Sequence, residues 1–194
     1  MKKETHPPVI FDRDVIEFVT VATEFCSFLE QAERMNRNTF VDVILKILPL
    51  LYIKASLLPR NEWKTDGNLE NYVTEDIYEI LRIGLSALMG EKDDYLEVFL
   101  PDMTYSDTPI RRCISEDLAD IYQDIKDFVF VFHLGLNETM NDALICCKEN
   151  FELLWGQKLV NTMRALHDVK YNPDPNENEA FDDRENVIHD DEDQ

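Results

Sequence analysis

Four aspartates, Asp117, Asp120, Asp124 and Asp127, recur at spacings of three, four and three residues. On an α-helix that spacing lines their carboxylates along one face, about a turn apart. Like charges this close repel, so the stripe persists either because water screens it or because a cation or basic partner compensates it. A second acidic pair, Glu149 and Glu152, lies beyond Gly135. If the chain folds back as a helix hairpin near residue 136, Asp120 comes level with Glu152 and Asp124 with Lys148. Asp117, Asp120, Asp124 and Glu152 then form a candidate ligand set for Mg²⁺ or Mn²⁺, hard ions that take oxygen donors. Such a set suits phosphate chemistry, in which the metal neutralises developing charge and orients water. Against it, Lys148 can pair with Asp124, and Glu149 points away from the apolar seam of its own helix.

A second constellation follows in FELLWGQKLVNTMRALHDV. Gly156 in mid-helix costs about 1 kcal/mol relative to Ala, so something there needs the missing side chain. Close packing by a neighbouring helix is one answer. The other is a pocket for an anionic group, formed by Trp155, Gln157, Asn161, Arg164 and His167, with Arg164 as a bidentate fork. His133 stands beside Gly135, where it suits a helix C-terminus better than a metal. No ExxH pair of the di-iron type, no Gly-rich phosphate loop and no GxSxG elbow occurs in the sequence, which excludes the familiar kinase and hydrolase classes.

The segment SEDLADIYQDIKDF resembles the second acidic helix of the all-α nucleotide pyrophosphohydrolases, which hydrolyse nucleoside triphosphates with Mg²⁺ held by an ExxE helix and an ExxD helix. The resemblance covers about 15 residues. Asp117-x-x-Asp120 stands where the family has Glu-x-x-Asp, and Glu149-x-x-Glu152 follows it where the family's ExxE precedes. SEDLADIYQDIKDF and FELLWGQKLVNTMRALH together resemble a bacterial family of small all-helical proteins known only as a domain of unknown function, over about residues 10–169. That resemblance implies an α fold and no particular activity.

The elements that must position these residues are helical. Asp12 or Asp14 caps a first helix reaching about Met35, with Val15, Phe18, Val19, Ala22, Phe25, Cys26 and Leu29 recurring at three and four residues. A second, from Asn38 or Thr39 to about Leu58, is apolar on most sides, is kinked by Pro49 and is expected to be the most buried. Residues 59–73 read as a loop anchored by Trp63. Thr74 caps a third helix that Gly90 ends. Asp93 to Leu100 suggests a short helix. Thr108 and Pro109 open a long one to Leu134, whose seam of Ile114, Leu118, Ile121, Ile125, Phe128 and Phe132 is spaced 4-3-4-3-4. A last helix runs from about Glu138 to Val169 and is stopped by Pro173. The expected fold is all-α: a bundle of five to six helices ending in a long antiparallel hairpin.

Composition sets the outer bounds. The 194 residues suffice for one domain, expected over 11–170, with an N-terminal extension at 1–10 and an acidic, disordered tail at 171–194. The tail holds ten Asp or Glu against one Arg, so −9 of the net charge of −21 resides there and −12 in the rest. Two readings stand for it: a solubilising appendage, or a short linear motif built on Phe181 and Val187-Ile188. So acidic a chain repels nucleic-acid phosphates and anionic lipid, and neither is an expected partner. No apolar run approaches the ~20 residues of a membrane span, and no secretory signal opens the sequence. Cys26, Cys113, Cys146 and Cys147 lack metal-ligand spacing and read as reduced thiols of a cytoplasmic protein. The expectation is a cytoplasmic, non-enzymatic domain that binds a protein with a basic surface. No cofactor is expected. The alternative is a phosphohydrolase dependent on Mg²⁺ or Mn²⁺.

Overall fold

The computed structural model describes residues 8–65, 69–97 and 110–172. Helices dominate it: α1 (Arg13–Glu30), α2 (Arg37–Ser56), α3 (Glu75–Met89), α4 (Ile114–His133), α5 (Asn137–Asn150) and α6 (Gly156–Tyr171). Short 3-10 turns at Val9–Phe11, Ala32–Arg34 and Gly90–Lys92 flank the first three. Ile10, in the earliest of these turns, is buried. No helix among the described residues is long and apolar enough to cross a membrane.

Local chemistry explains most boundaries. Asn36 accepts a hydrogen bond from the Thr39 amide at 2.9 Å and Thr74 one from the Ile77 amide at 3.3 Å, so each caps the helix that follows it. Gly90 and Gly135 take positive φ, 58° and 75°, where the chain leaves α3 and α4. The first helix stops at Glu30, short of Met35, and a tight turn at Ala32–Arg34, packed against α3, leads into α2.

Two expectations fail between residues 93 and 113. Asp94–Glu97 is a strand, β1, and Ile110–Cys113 is a second, β2, paired antiparallel with Asp94 opposite Cys113 and Glu97 opposite Ile110. Over residues 93–97 the expected short helix of 93–100, and over 110–113 the helical reading, give way to this ribbon; residues 98–100 lie outside the described residues. Thr108 and Pro109 lie outside the described residues. Cross-strand ion pairs, Arg111 with Asp94 and Arg112 with Glu97, favour the ribbon over two helical turns. The central helix therefore begins at Ile114, and its N-terminus is satisfied from a distance. Asp93 accepts from the Ser115 amide at 2.8 Å and the Ser115 hydroxyl at 2.7 Å, and its backbone carbonyl accepts from the Ile114 amide at 2.8 Å.

The core is centred on α4, which packs against α1, α3, α5 and α6. The seam residues Ile114, Leu118, Ile121, Ile125 and Phe128 are buried, and so are Ala119, Tyr122, Val129 and Val131 on other faces. It is thus α4, and not α2, that is surrounded; α2 leaves Leu50, Tyr52 and Ile53 exposed. The first and second helices pair with each other, and α2 lies antiparallel to α6, with Asp42 paired to Lys170 at one end and the rings of Tyr52 and Phe151 5.1 Å apart toward the other.

The last helix is interrupted. Phe151–Trp155 form a π turn between α5 and α6, in which the Gly156 amide donates to the Phe151 carbonyl. A Cβ at position 156 would lie 2.4 Å from that same carbonyl oxygen and 3.0 Å from the Phe151 ring. The glycine is required by the wide turn itself and by the ring at its start, not by a neighbouring helix.

Candidate functional site

The hairpin of α4 with α5 and α6 does place the four aspartates on one face, and each finds a protein partner. Asp117, 3% exposed, accepts from the Tyr95 hydroxyl at 2.5 Å. Asp120 accepts from the Tyr78 hydroxyl at 2.7 Å and from the Lys158 ammonium. Asp124 accepts from the Asn150 amide at 2.6 Å. Asp127 accepts from the backbone amides of Tyr72 and Val73 at 2.7 and 2.8 Å. The stripe is a row of clamps that holds β1, α3, the 69–73 segment and the α5–α6 arm against the central helix. Burial pushes the carboxyls of Asp117, Asp124 and Asp127 above their usual range, and the bonds they accept offset only part of that. The Tyr78 and Tyr95 hydroxyls are raised too, by burial and by the carboxylates they serve.

Glu152 does not join them. It is exposed, with Arg60 3.7 Å away. Among the described residues no three His, Cys, Asp or Glu side chains are grouped so as to hold a metal ion. Register explains the dispersal of Asp117, Asp120, Asp124 and Glu152. Asp124 meets Asn150 instead of position 148, and beyond the π turn Asp120 meets Lys158 instead of position 152. Lys148 reaches the Leu58 carbonyl. The extra residue in the wide turn shifts the register of everything after Trp155, and Glu152, inside the turn, faces outward.

The second constellation is divided among three environments. Trp155 is fully buried, its indole N–H donating to the Cys147 carbonyl at 3.2 Å. The Gln157 amide donates to Asn161 at 3.1 Å, and Asn161 donates to Glu97 of β1 at 3.0 Å. Arg164 and His167 line a groove between α2 and α6, where the His167 ring lies 4.6 Å from that of Tyr171. Of the five, only Arg164 and His167 line that groove.

Other residues, unremarked in the sequence, carry more of the architecture. Asp142 is completely buried and accepts from the Lys64 and Thr65 amides, both at 2.7 Å, the Thr65 hydroxyl at 2.6 Å and the Asn141 amide at 3.0 Å. Burial pushes its carboxyl up, and these bonds more than reverse the shift, leaving it below the usual range. Asp142, not the 40%-exposed Trp63, pins the loop after α2.

An open apolar surface lies along α3. A cavity of about 260 Å³ is lined by Leu29, Glu30, Glu33, Ile77, Ile80 and Gly84 among others. It continues into a shallower groove of about 600 Å³ past Ile83, Ala87 and Leu88. Ile80 and Ile83 are 66% and 56% exposed. The described lining carries two glutamates and no basic side chain. Nearby cations are already engaged, Lys126 by Glu30 and Arg82 by Glu79. The signal was present in EDIYEILRIGLSALM, where Ile80, Ile83 and Ala87 form an apolar row beside the buried one.

A family model described as a domain of unknown function, DUF5063, matches residues 9–172. The crystal structure of protein BF1032 from Bacteroides fragilis is similar to this one, with 66% sequence identity and a TM-score of 0.77 over 86% of this chain and 98% of that one. No curated protein matches the chain.

Proposed function

This chain belongs to the DUF5063 family, a domain of unknown function, and from that starting point we propose that it acts by binding another protein through the apolar groove of α3. The observation that carries this reading is the groove: two isoleucines more than half exposed, in a continuous apolar row with Glu30 and Glu33 in its wall. Water contact with such a row is unfavourable, at ~25 cal/mol per Å² of apolar surface, and an amphipathic helix laid along it would remove that contact. Glu33 and the overall charge of −21 select a partner segment with Lys or Arg on its flanks. We place the binding in the cytoplasm, a reading supported by four thiols that form no disulfide.

A photo-cross-linking residue in place of Ile83, expressed in the native host, tests this. The expected product joins position 83 to an amphipathic basic segment of another protein. It is lost when Ile80→Asp is added, a change at a surface position that leaves the fold intact. Adducts only with a second copy of the chain, or an adduct unaffected by Ile80→Asp, would overturn the reading.

A further inference from the structure

The trough between α2 and α6 has a volume of about 600 Å³ and an apolar floor of Leu45, Pro49, Ile53, Val160 and Met163. Ile53 and Val160 are 53% and 46% exposed. The described lining holds no carboxylate, its Arg164 already has a partner, and the His167 ring packs on Tyr171. None of these lining residues calls for a charged ligand. What they offer is apolar surface.

The two helices also stand apart from the others in charge. α2 carries three Lys or Arg against one Asp, and α6 the same, whereas α1, α3, α4 and α5 are each net negative. Lys54 is paired with Glu17 and Lys158 with Asp120, while Lys46 and Lys170 share Asp42. These pairs draw off the excess and leave the face close to neutral, in a chain whose net charge is −21. Two copies repel wherever their acidic helices meet. Among the six helices, this pair alone offers a surface without that repulsion.

The face also suits a second copy in size and shape. Over the 16 residues of α6 it is about 24 Å long at ~1.5 Å per residue, and two helices of ~10 Å with axes ~8–10 Å apart make it about 20 Å wide. Two such faces bury on the order of 1,000 Å² between them, the lower bound for a specific contact between proteins. Because α2 and α6 are antiparallel, a copy related by a two-fold axis completes a four-helix arrangement, the ridge of each copy entering the trough of the other.

We infer that this chain forms a two-fold dimer through the α2–α6 face, with Val160 of each copy near the axis and Pro49, Ile53 and Met163 around it. The α3 groove takes no part in that face, so the dimer stands whether or not α3 binds a partner. With both, the assembly presents two α3 grooves, and a partner with two binding segments gains by tethering.

Sedimentation equilibrium of the full chain tests this. It should show a monomer–dimer equilibrium with a Kd on the order of tens of micromolar at ~0.15 M NaCl, tightening as added salt screens the repulsion between copies. Val160→Glu and Val160→Lys should each be monomeric with the circular dichroism of the parent. Mixed in equal amounts they should recover the dimer, because opposite charges then meet across the axis. Ile80→Asp, on α3, should leave the equilibrium unchanged. A parent chain that stays monomeric at millimolar concentration would overturn the inference. So would a dimer that survives both Val160 substitutions, a mixture that stays monomeric, or a dimer that Ile80→Asp dissolves.

Discussion

Asp124 shows how a carboxylate can look like a ligand and act as a fastener. It stands in an acidic row, yet Asn150 donates to it and burial raises its proton affinity. Because the folded state then holds the proton more tightly than the unfolded chain does, the group's contribution to stability falls as pH rises out of the ordinary carboxylate range. Asp124→Asn keeps the oxygen that accepts from Asn150 and removes the charge. Urea titrations should find it at least as stable as the parent at pH 7, with the stability gradient between about pH 4 and 6 flattened. A variant much weaker at pH 7 would show that the ionised form is needed. Glu17 acts in the opposite sense. Hydrogen bonds from Lys54 and Arg13 lower its carboxyl to about 2, so the stability it supplies is present above its ordinary value and lost as pH falls toward 2. The sequence showed where these acids stand, since their helix and its face follow from spacing alone. It did not show their partners. Tyr95, Tyr78 and the 72–73 amides come from elements whose placement depends on the whole fold.

At the level of elements, the π turn at Phe151–Trp155 decides which residues meet. Gly156→Ala should lower stability by about 2 kcal/mol, because a methyl 2.4 Å from the Phe151 carbonyl oxygen must displace backbone, not a flexible side chain. Chemical denaturation reads that cost, and a variant as stable as the parent would mean the turn re-forms as ordinary α-helix at no penalty. Helices α1, α2 and α3 were legible because their signals are local: Thr74 is a residue from the helix it caps, and Val15 to Leu29 share one stripe, although Asp12, before α1, makes no side-chain cap hydrogen bond. The ribbon of β1 and β2 was not. Four-residue strands such as DYLE and IRRC carry no period long enough to distinguish from a helical turn, and their paired positions stand 13 to 19 residues apart in sequence. The π turn left only the unexplained glycine as its trace.

For the molecule as a whole, charge sets the conditions under which the fold is strongest. A net charge of −21 on 194 residues repels itself, and at an ionic strength of ~0.15 M the screening length is about 8 Å. Melting temperature should therefore rise on adding NaCl from low salt. MgCl₂ at equal ionic strength should raise it by the same amount, since the candidate carboxylates are engaged by separate protein donors. An extra increment with Mg²⁺ that disappears in Asp120→Asn would reinstate a cation at the stripe. The difference between the two grooves, with glutamates on α3 and an arginine between α2 and α6, could not be read from composition, because it depends on which helix faces remain uncovered.

The way α4 begins has a kinetic consequence. Its first amides are satisfied by Asp93, more than twenty residues upstream, so the central helix cannot complete its N-terminal turn until the chain between them has closed into a loop. The α4–α5 end needs only a three-residue connection at Leu134–Leu136, and contacts so close in sequence form early in folding. The most buried helix of the domain is thus set to grow from its C-terminal end toward its N-terminus, with the meeting of Asp93 and Ser115 among the last steps to be made and, on unfolding, among the first to be lost.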